Sequence, residues 1–169
     1  MQPLEKLRYL LAASIAGLTE EQLRWHPPGK WCALEVLDHL YLTYTGTIKG
    51  FERVLAAGKP NVTPATWRQR GRKLVVLRLG YLPSGRKAPP SSHPRGLPAG
   101  KVLAEIVPKI AEMDQCLSTC EQKLGRGELL DHPIIGPLTA AQWKKFHLVH
   151  GLLHLKQIRR LRLGAAEKK

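Results

Sequence analysis

Leu138-Thr139-Ala140-Ala141-Gln142-Trp143-Lys144-Lys145-Phe146-His147-Leu148-Val149-His150-Gly151-Leu152-Leu153-His154-Leu155-Lys156-Gln157 carries the strongest local structural signals of the chain. Thr139 is a good N-cap and Gln142 stands three residues on, the pattern of a capping box, while Leu138 can pack against Trp143 as a hydrophobic staple. A helix is therefore predicted from Thr139 to about Leu163. Trp143, His147, His150, His154, Gln157 and Leu161 recur at steps of three and four, so they share one face at the 3.6-residue period. Leu148, Val149, Leu152 and Leu155 occupy the other side, which leaves the helix apolar nearly all round. Such a helix must be covered on both sides. Either the basic middle of the chain folds back over it, or a second copy of the protein does, giving a homodimer through this helix.

His150 and His154 are one turn apart, where ring nitrogens can converge on one point. A helix offers two ligands to a zinc-like ion at this spacing, and a complete site needs at least one more from elsewhere. The same spacing also suits hydrogen-bonded histidines lining a polar spot in a bundle. Gly151 follows His150, so the HExxH metalloprotease signature is absent.

Working outward, Leu4, Leu7, Leu10, Leu11 and Ile15 make the apolar stripe of a first helix, about Pro3 to Ala16, with Gly17 available to end it. A short helical turn begins at Thr19, where Gln22 completes another capping box, and Pro27-Pro28-Gly29 stops it. His26 reads as a loop residue. A second long helix spans about Ala33 to Ala57, with Leu34, Leu37, Tyr41, Tyr44, Ile48, Phe51 and Leu55 as its strongest stripe. His39 falls on nearly the opposite side, beside Glu35 and Thr43. Periodicity alone makes it an exposed residue, or one on a second interface if Val36, Leu40 and Leu42 are buried as well. Glu35, one turn earlier, can orient the His39 imidazole or stand as a solvated acid at the helix start.

Thr66 to about Leu79 reads as a short basic helix, and Tyr81 to Gly100 as an extended Pro, Gly and Ser-rich loop able to lie over the mouth of a site. His93, in that loop, is expected to face solvent. A third long helix, about Ala99 to Leu124, contains Pro108, a candidate kink. Glu128 to Leu138 connects it to the last helix, and His132 beside Pro133 is expected to fix that turn rather than to bind metal.

A chain of 169 residues fits one domain, residues 1–169, with a sound core. No apolar run approaches the roughly 18 residues needed to cross a bilayer, and the N-terminus lacks the signal-peptide pattern, so a cytoplasmic protein is expected. Cys116 and Cys120 read as small packed thiols; Cys32, at a helix start, is placed where the helix dipole can lower a thiol pKa. The net charge is +14, and from Lys49 to Lys101 Glu52 is the only acid. Such a surface attracts polyanions in general. Nucleic acid is not favoured, because stacking motifs are missing and aromatics are sparse in the basic stretch.

The run His132-Pro133-Ile134-Ile135-Gly136-Pro137-Leu138-Thr139, with Trp143, His150, His154 and Gln157, resembles the C-terminal signature of the DinB/YfiT-like superfamily. Upstream, Gly17-Leu18-Thr19-Glu20-Glu21-Gln22-Leu23 and Gly29-Lys30-Trp31-Cys32-Ala33-Leu34-Glu35-Val36-Leu37-Asp38-His39-Leu40 resemble its first connection and the start of its second helix. The resemblance covers about the first third and last quarter of the chain. It implies an all-α four-helix bundle holding one divalent metal, Zn or Ni, through His39, His150 and His154. Leu153 stands where many members carry a further histidine that is not a ligand. Metal-assisted hydrolysis or thiol transfer on a small molecule, the latter with a low-molecular-weight thiol, are the reaction classes implied. His147 and Glu35 are the candidate catalytic residues, His147 as a proton carrier, with Gln157 bonded to a ligand. Two other classes stand beside this one: a basic module that binds nucleic acid or an acidic partner without catalysis, and a structural homodimer.

Overall fold

The structure, a computed structural model, describes residues 1–83 and 88–166. Part of the predicted loop, residues 84–87, and the terminal cations Lys168 and Lys169 lie outside the described residues. The described residues form six α-helices: α1 (Pro3–Ile15), α2 (Glu20–Arg24), α3 (Ala33–Ala57), α4 (Trp67–Leu79), α5 (Ala99–Leu124) and α6 (Ala140–Ala166). A single 3₁₀ turn, Pro90–Ser92, precedes α5, and a short hairpin of β1 (Leu130–His132) and β2 (Gly136–Leu138) precedes α6. The long helices pack in the spatial order α1, α5, α3, α6, closing on α1, with α5 and α6 also touching. This is an all-α four-helix bundle.

The helix starts are fixed by local chemistry. Thr19 with Gln22, Thr66 with Gln69 and Thr139 with Gln142 each exchange side-chain and backbone hydrogen bonds as capping boxes. Cys32 does the same with Glu35: Sγ accepts from the Glu35 N–H, and Oε2 of Glu35 accepts from the Cys32 N–H at 2.8 Å. Each cap satisfies donors that a helix start otherwise leaves unpaired.

Leu4, Leu7 and Leu11 of α1, Leu37, Tyr44 and Phe51 of α3, and Ile106, Ile110, Met113 and Leu117 of α5 are buried together in one core. Burying a side chain of this size contributes about 1.5–3 kcal/mol. Helix α3 buries two faces, since Val36 and Leu40 are as inaccessible as Leu37, and His39 is only 4% exposed. The single-stripe expectation for His39 is thereby resolved in favour of a second interface. Helix α5 runs unbroken through Pro108.

Cover for α6 comes from within the chain. Helix α1 packs along it, and α4, from the basic segment, folds against it as well. Gly151 makes the α1 approach possible, because a Cβ there would overlap the buried side chain of Leu7.

The connection before α6 is more ordered than its sequence indicated. Leu130 pairs with Leu138 and His132 with Gly136 in an antiparallel register, and Asn61 joins Leu130 in a parallel bridge. Asp131 Oδ2 accepts from the N–H and hydroxyl of Thr63, and the Trp143 indole N–H donates to the Leu130 carbonyl. Strands of three residues are too short to display an alternating pattern. His132 fixes the turn: its Nδ1 accepts from the N–H groups of Ile134 and Ile135 at 3.1 and 3.4 Å. Burial lowers its pKa to about 4. Protonation of the accepting nitrogen would also forfeit both hydrogen bonds.

Two measurements test this packing. Gly151→Ala should destabilise the protein by about 1–3 kcal/mol in chemical denaturation, since an added methyl must displace Leu7 in a filled core. His132 is neutral in the folded chain down to about pH 4, whereas unfolded it takes up a proton below about pH 6.5. The unfolded state thus binds more protons in that window, so stability should fall as pH drops from about 6.5 to 4. His132→Asn, whose side-chain oxygen can accept the same two N–H groups, should give a shallower fall in unfolding free energy over that range.

Candidate metal centre

Helix α3 delivers His39 and helix α6 delivers His150 and His154 to one place. His39 Nε2 lies 3.3 Å from His150 Nε2, which lies 3.1 Å from His154 Nε2. One ligand atom from each residue falls within 4.8 Å of both others. Nitrogens bound tetrahedrally at 2.0–2.1 Å would stand about 3.3 Å apart, so two of the three separations already suit one ion.

The outer nitrogens decide which tautomers are present. His39 Nδ1 is 2.7 Å from the Ser92 carbonyl, which can only accept, so Nδ1 carries the proton and Nε2 presents a lone pair. His154 Nδ1 donates likewise to Gln157 Oε1 at 3.1 Å. His150 is fixed by its ring, stacked on Phe146 at 5.5 Å with planes 10° apart. Its Nδ1 is buried and has no hydrogen-bond partner among the described residues. Two lone pairs thus converge on an imidazole with one proton to give, a poor arrangement for three histidines alone and the required one for a cation. Burial lowers all three pKa values, reinforced at His150 and His154 by repulsion from neighbouring rings: His39 below its usual range, His150 well below it, and His154 to about 4. At neutral pH all three are in the uncharged form that binds metal. The donor set therefore fits a divalent ion.

The loop before α5 completes the shell. Asp38, next to His39 and 1% exposed, accepts on Oδ2 from the N–H groups of Arg95, Gly96 and Leu97 at 2.8, 2.9 and 3.2 Å. Adjacent residues of α3 therefore grip one loop at two points, Asp38 at residues 95–97 and His39 at Ser92. Trp31 lies against His39 with ring centroids 5.4 Å apart, and His93 meets Trp31 edge-on at 5.6 Å. His93 is exposed, and it borders the site rather than lying apart from it. Nothing in the local sequence distinguished Asp38 or Ser92, because their roles depend on contacts across more than fifty residues.

The other candidates are placed elsewhere. Glu35 is occupied by the Cys32 N–H, and the His39 imidazole is held by Ser92 in the position considered for Glu35. His147 is fully buried, with Nε2 3.0 Å from Thr47 Oγ1, its ring stacked on Trp143 and edge-on to Tyr44. Burial lowers its pKa to about 3. The cysteines do not enter the cluster. Burial raises the Cys32 thiol, overriding the expected effect of the helix start, and pushes Cys120 up to about 12.

A helical bundle that closes three uncharged imidazoles around one point defines a class of protein, helical bundles with a site able to hold a metal ion between helices. Among solved structures, YfiT from Bacillus subtilis is similar, with a TM-score of 0.61 over 96% of this chain and 84% of that one at 17% identity. That protein is described as a probable metal-dependent hydrolase with an unusual four-helix bundle topology. At this identity the likeness establishes the fold. Residues 5–161 match the family model described as protein of unknown function (DUF1569), and the chain belongs to that family. No curated protein sequence matches it.

Asp38→Ala would leave the N–H groups of Arg95, Gly96 and Leu97 without their acceptor and release the loop from α3. Loss of a partner that supports a ligand typically weakens metal binding about 10–100-fold. Asp38→Ala should therefore open residues 92–97 to limited proteolysis and weaken zinc binding at least about tenfold in chelator competition.

Proposed function

We propose that the protein is a metal-dependent enzyme in which His39, His150 and His154 hold one divalent ion, Zn or Ni, and that its reaction is hydrolysis of a small molecule. The observation that carries this is the convergence of three Nε2 atoms from two helices, two of them 3.3 and 3.1 Å from the third. A bound ion would supply Lewis-acid chemistry at its remaining coordination position, polarising a substrate oxygen and easing proton loss from water. The chain's own part is to fix the imidazoles in the binding tautomer through Ser92 and Gln157, and to limit water through Trp31 and Phe146.

His93 stands at the exposed edge of the site, edge-on to Trp31, and we place proton exchange with substrate on it. His147, sealed behind Trp143 and Tyr44, keeps a packing role. Glu35 keeps a capping role. Hydrolysis is preferred to transfer onto a low-molecular-weight thiol because, among the described residues, no feature around the cluster selects a thiol, whereas YfiT, on the same fold, is described as a probable metal-dependent hydrolase.

Protein purified without added metal should contain about one transition-metal ion per chain by plasma mass spectrometry, the stoichiometry of a three-histidine site. His150→Ala should lose it, and His93→Gln should retain it. Metal-free natural protein that also fails to take up Zn or Ni would end this proposal.

A further inference from the structure

Helix α4 uses one side for the fold. Val76 is buried, Lys73 donates to Glu128 and to the Pro137 carbonyl, and Gln69 packs beneath Gly136. The exposed surface of α4 mixes arginines with large apolar side chains, where a surface helix is normally polar. Trp67 is 77% exposed, Leu74 59% and Leu79 74%, and Tyr81 just beyond the helix is 59% exposed. Five of the eight exposed large apolar side chains of the described residues fall between Val62 and Tyr81, so this is a cluster rather than scatter. Arg68 lies over the Trp67 ring at 5.1 Å, and Arg70, Arg72 and Arg78 are exposed without an acidic partner among the described residues.

The chemistry of the face restricts its occupant. A second copy of the chain is disfavoured, because two-fold pairing would set one arginine cluster against another. Nucleic acid would use the arginines and the rings of Trp67 and Tyr81; it would leave Leu74 and Leu79 with nothing to bury against. A bilayer surface with anionic headgroups uses all of them, with leucines below the headgroups, Trp and Tyr at their level, and arginines on phosphates. No helix is long and apolar enough to cross a membrane among the described residues, so the contact is one of lying on the surface.

We propose that the outer face of α4 docks the protein on anionic lipid bilayers, through Trp67, Leu74 and Leu79 together with Arg68, Arg72 and Arg78. The metal cluster is built from α3 and α6, so docking does not depend on its occupancy.

The test is co-sedimentation of the full chain with vesicles of phosphatidylcholine alone or with three parts in ten phosphatidylglycerol, at 0.15 M salt. Binding is expected to the mixed vesicles, at least tenfold over the neutral ones, with a blue shift in tryptophan emission that Trp67→Phe removes. The triple variant Trp67→Ala, Leu74→Ser, Leu79→Ser keeps every charge and should bind the mixed vesicles at least fivefold more weakly. Arg68→Gln, Arg72→Gln, Arg78→Gln should do the same. All six positions are outside the core, and an unchanged melting temperature and helical circular dichroism establish that each variant is folded. Equal binding by the apolar variant would reduce the effect to bulk charge and overturn the proposal. So would absence of binding to mixed vesicles, single-stranded RNA displacing the protein from them through Trp67, or a concentration-dependent dimer that Leu74→Ser abolishes.

Discussion

Everything in the centre of this molecule depends on burying imidazoles without charging them. An ionised histidine in the bundle would carry a large desolvation cost, so the rings are held neutral, and two of the three in the cluster have their proton assigned to one nitrogen by a specific acceptor. Ser92 does this for His39 and Gln157 for His154. Once those protons point outward, the inner nitrogens face one another as lone pairs. The bundle has thereby made a cation-shaped demand before any cation is considered.

That demand is met by two rigid elements and one loop, and the division matters. Helix α6 sets His150 and His154 by its own repeat, whereas His39 arrives only because α3 buries a second face. The loop before α5 has no regular structure beyond its 3₁₀ turn, yet it supplies an acceptor to His39 and three donors to Asp38. A carboxylate and an imidazole on successive residues of one helix thus tie the least regular part of the chain to the metal cluster. The ordering of that loop and the ordering of the site are one event.

Charge is partitioned away from this centre. The cluster is neutral and enclosed, while the basic segment is displayed on α4 with exposed apolar groups among its arginines. A structure that spends its hydrogen bonds on the interior and leaves cations unpaired outside has two chemically separate surfaces.

Much of the bundle was legible in order along the chain. The Thr139 and Gln142 pair marked the start of α6, the limits of α3 and α5 followed from their stripes and terminal glycines, and the spacing of His150 and His154 brought two ring nitrogens together. These are local properties, because a helix repeats every 3.6 residues whatever surrounds it. His39 was different: its own helix placed it opposite the main stripe, and only the family resemblance joined it to the other two. The roles of Ser92 and Asp38, the burial of His39 and the placing of His93 beside Trp31 were decided by tertiary structure alone. Each rests on a partner distant in sequence or on which of two helix faces is covered, and periodicity carries no information about either. Sequence determined where the helices run and that two histidines share a turn; the packing of α3 against α6 decided that a third would meet them, and in which protonation state.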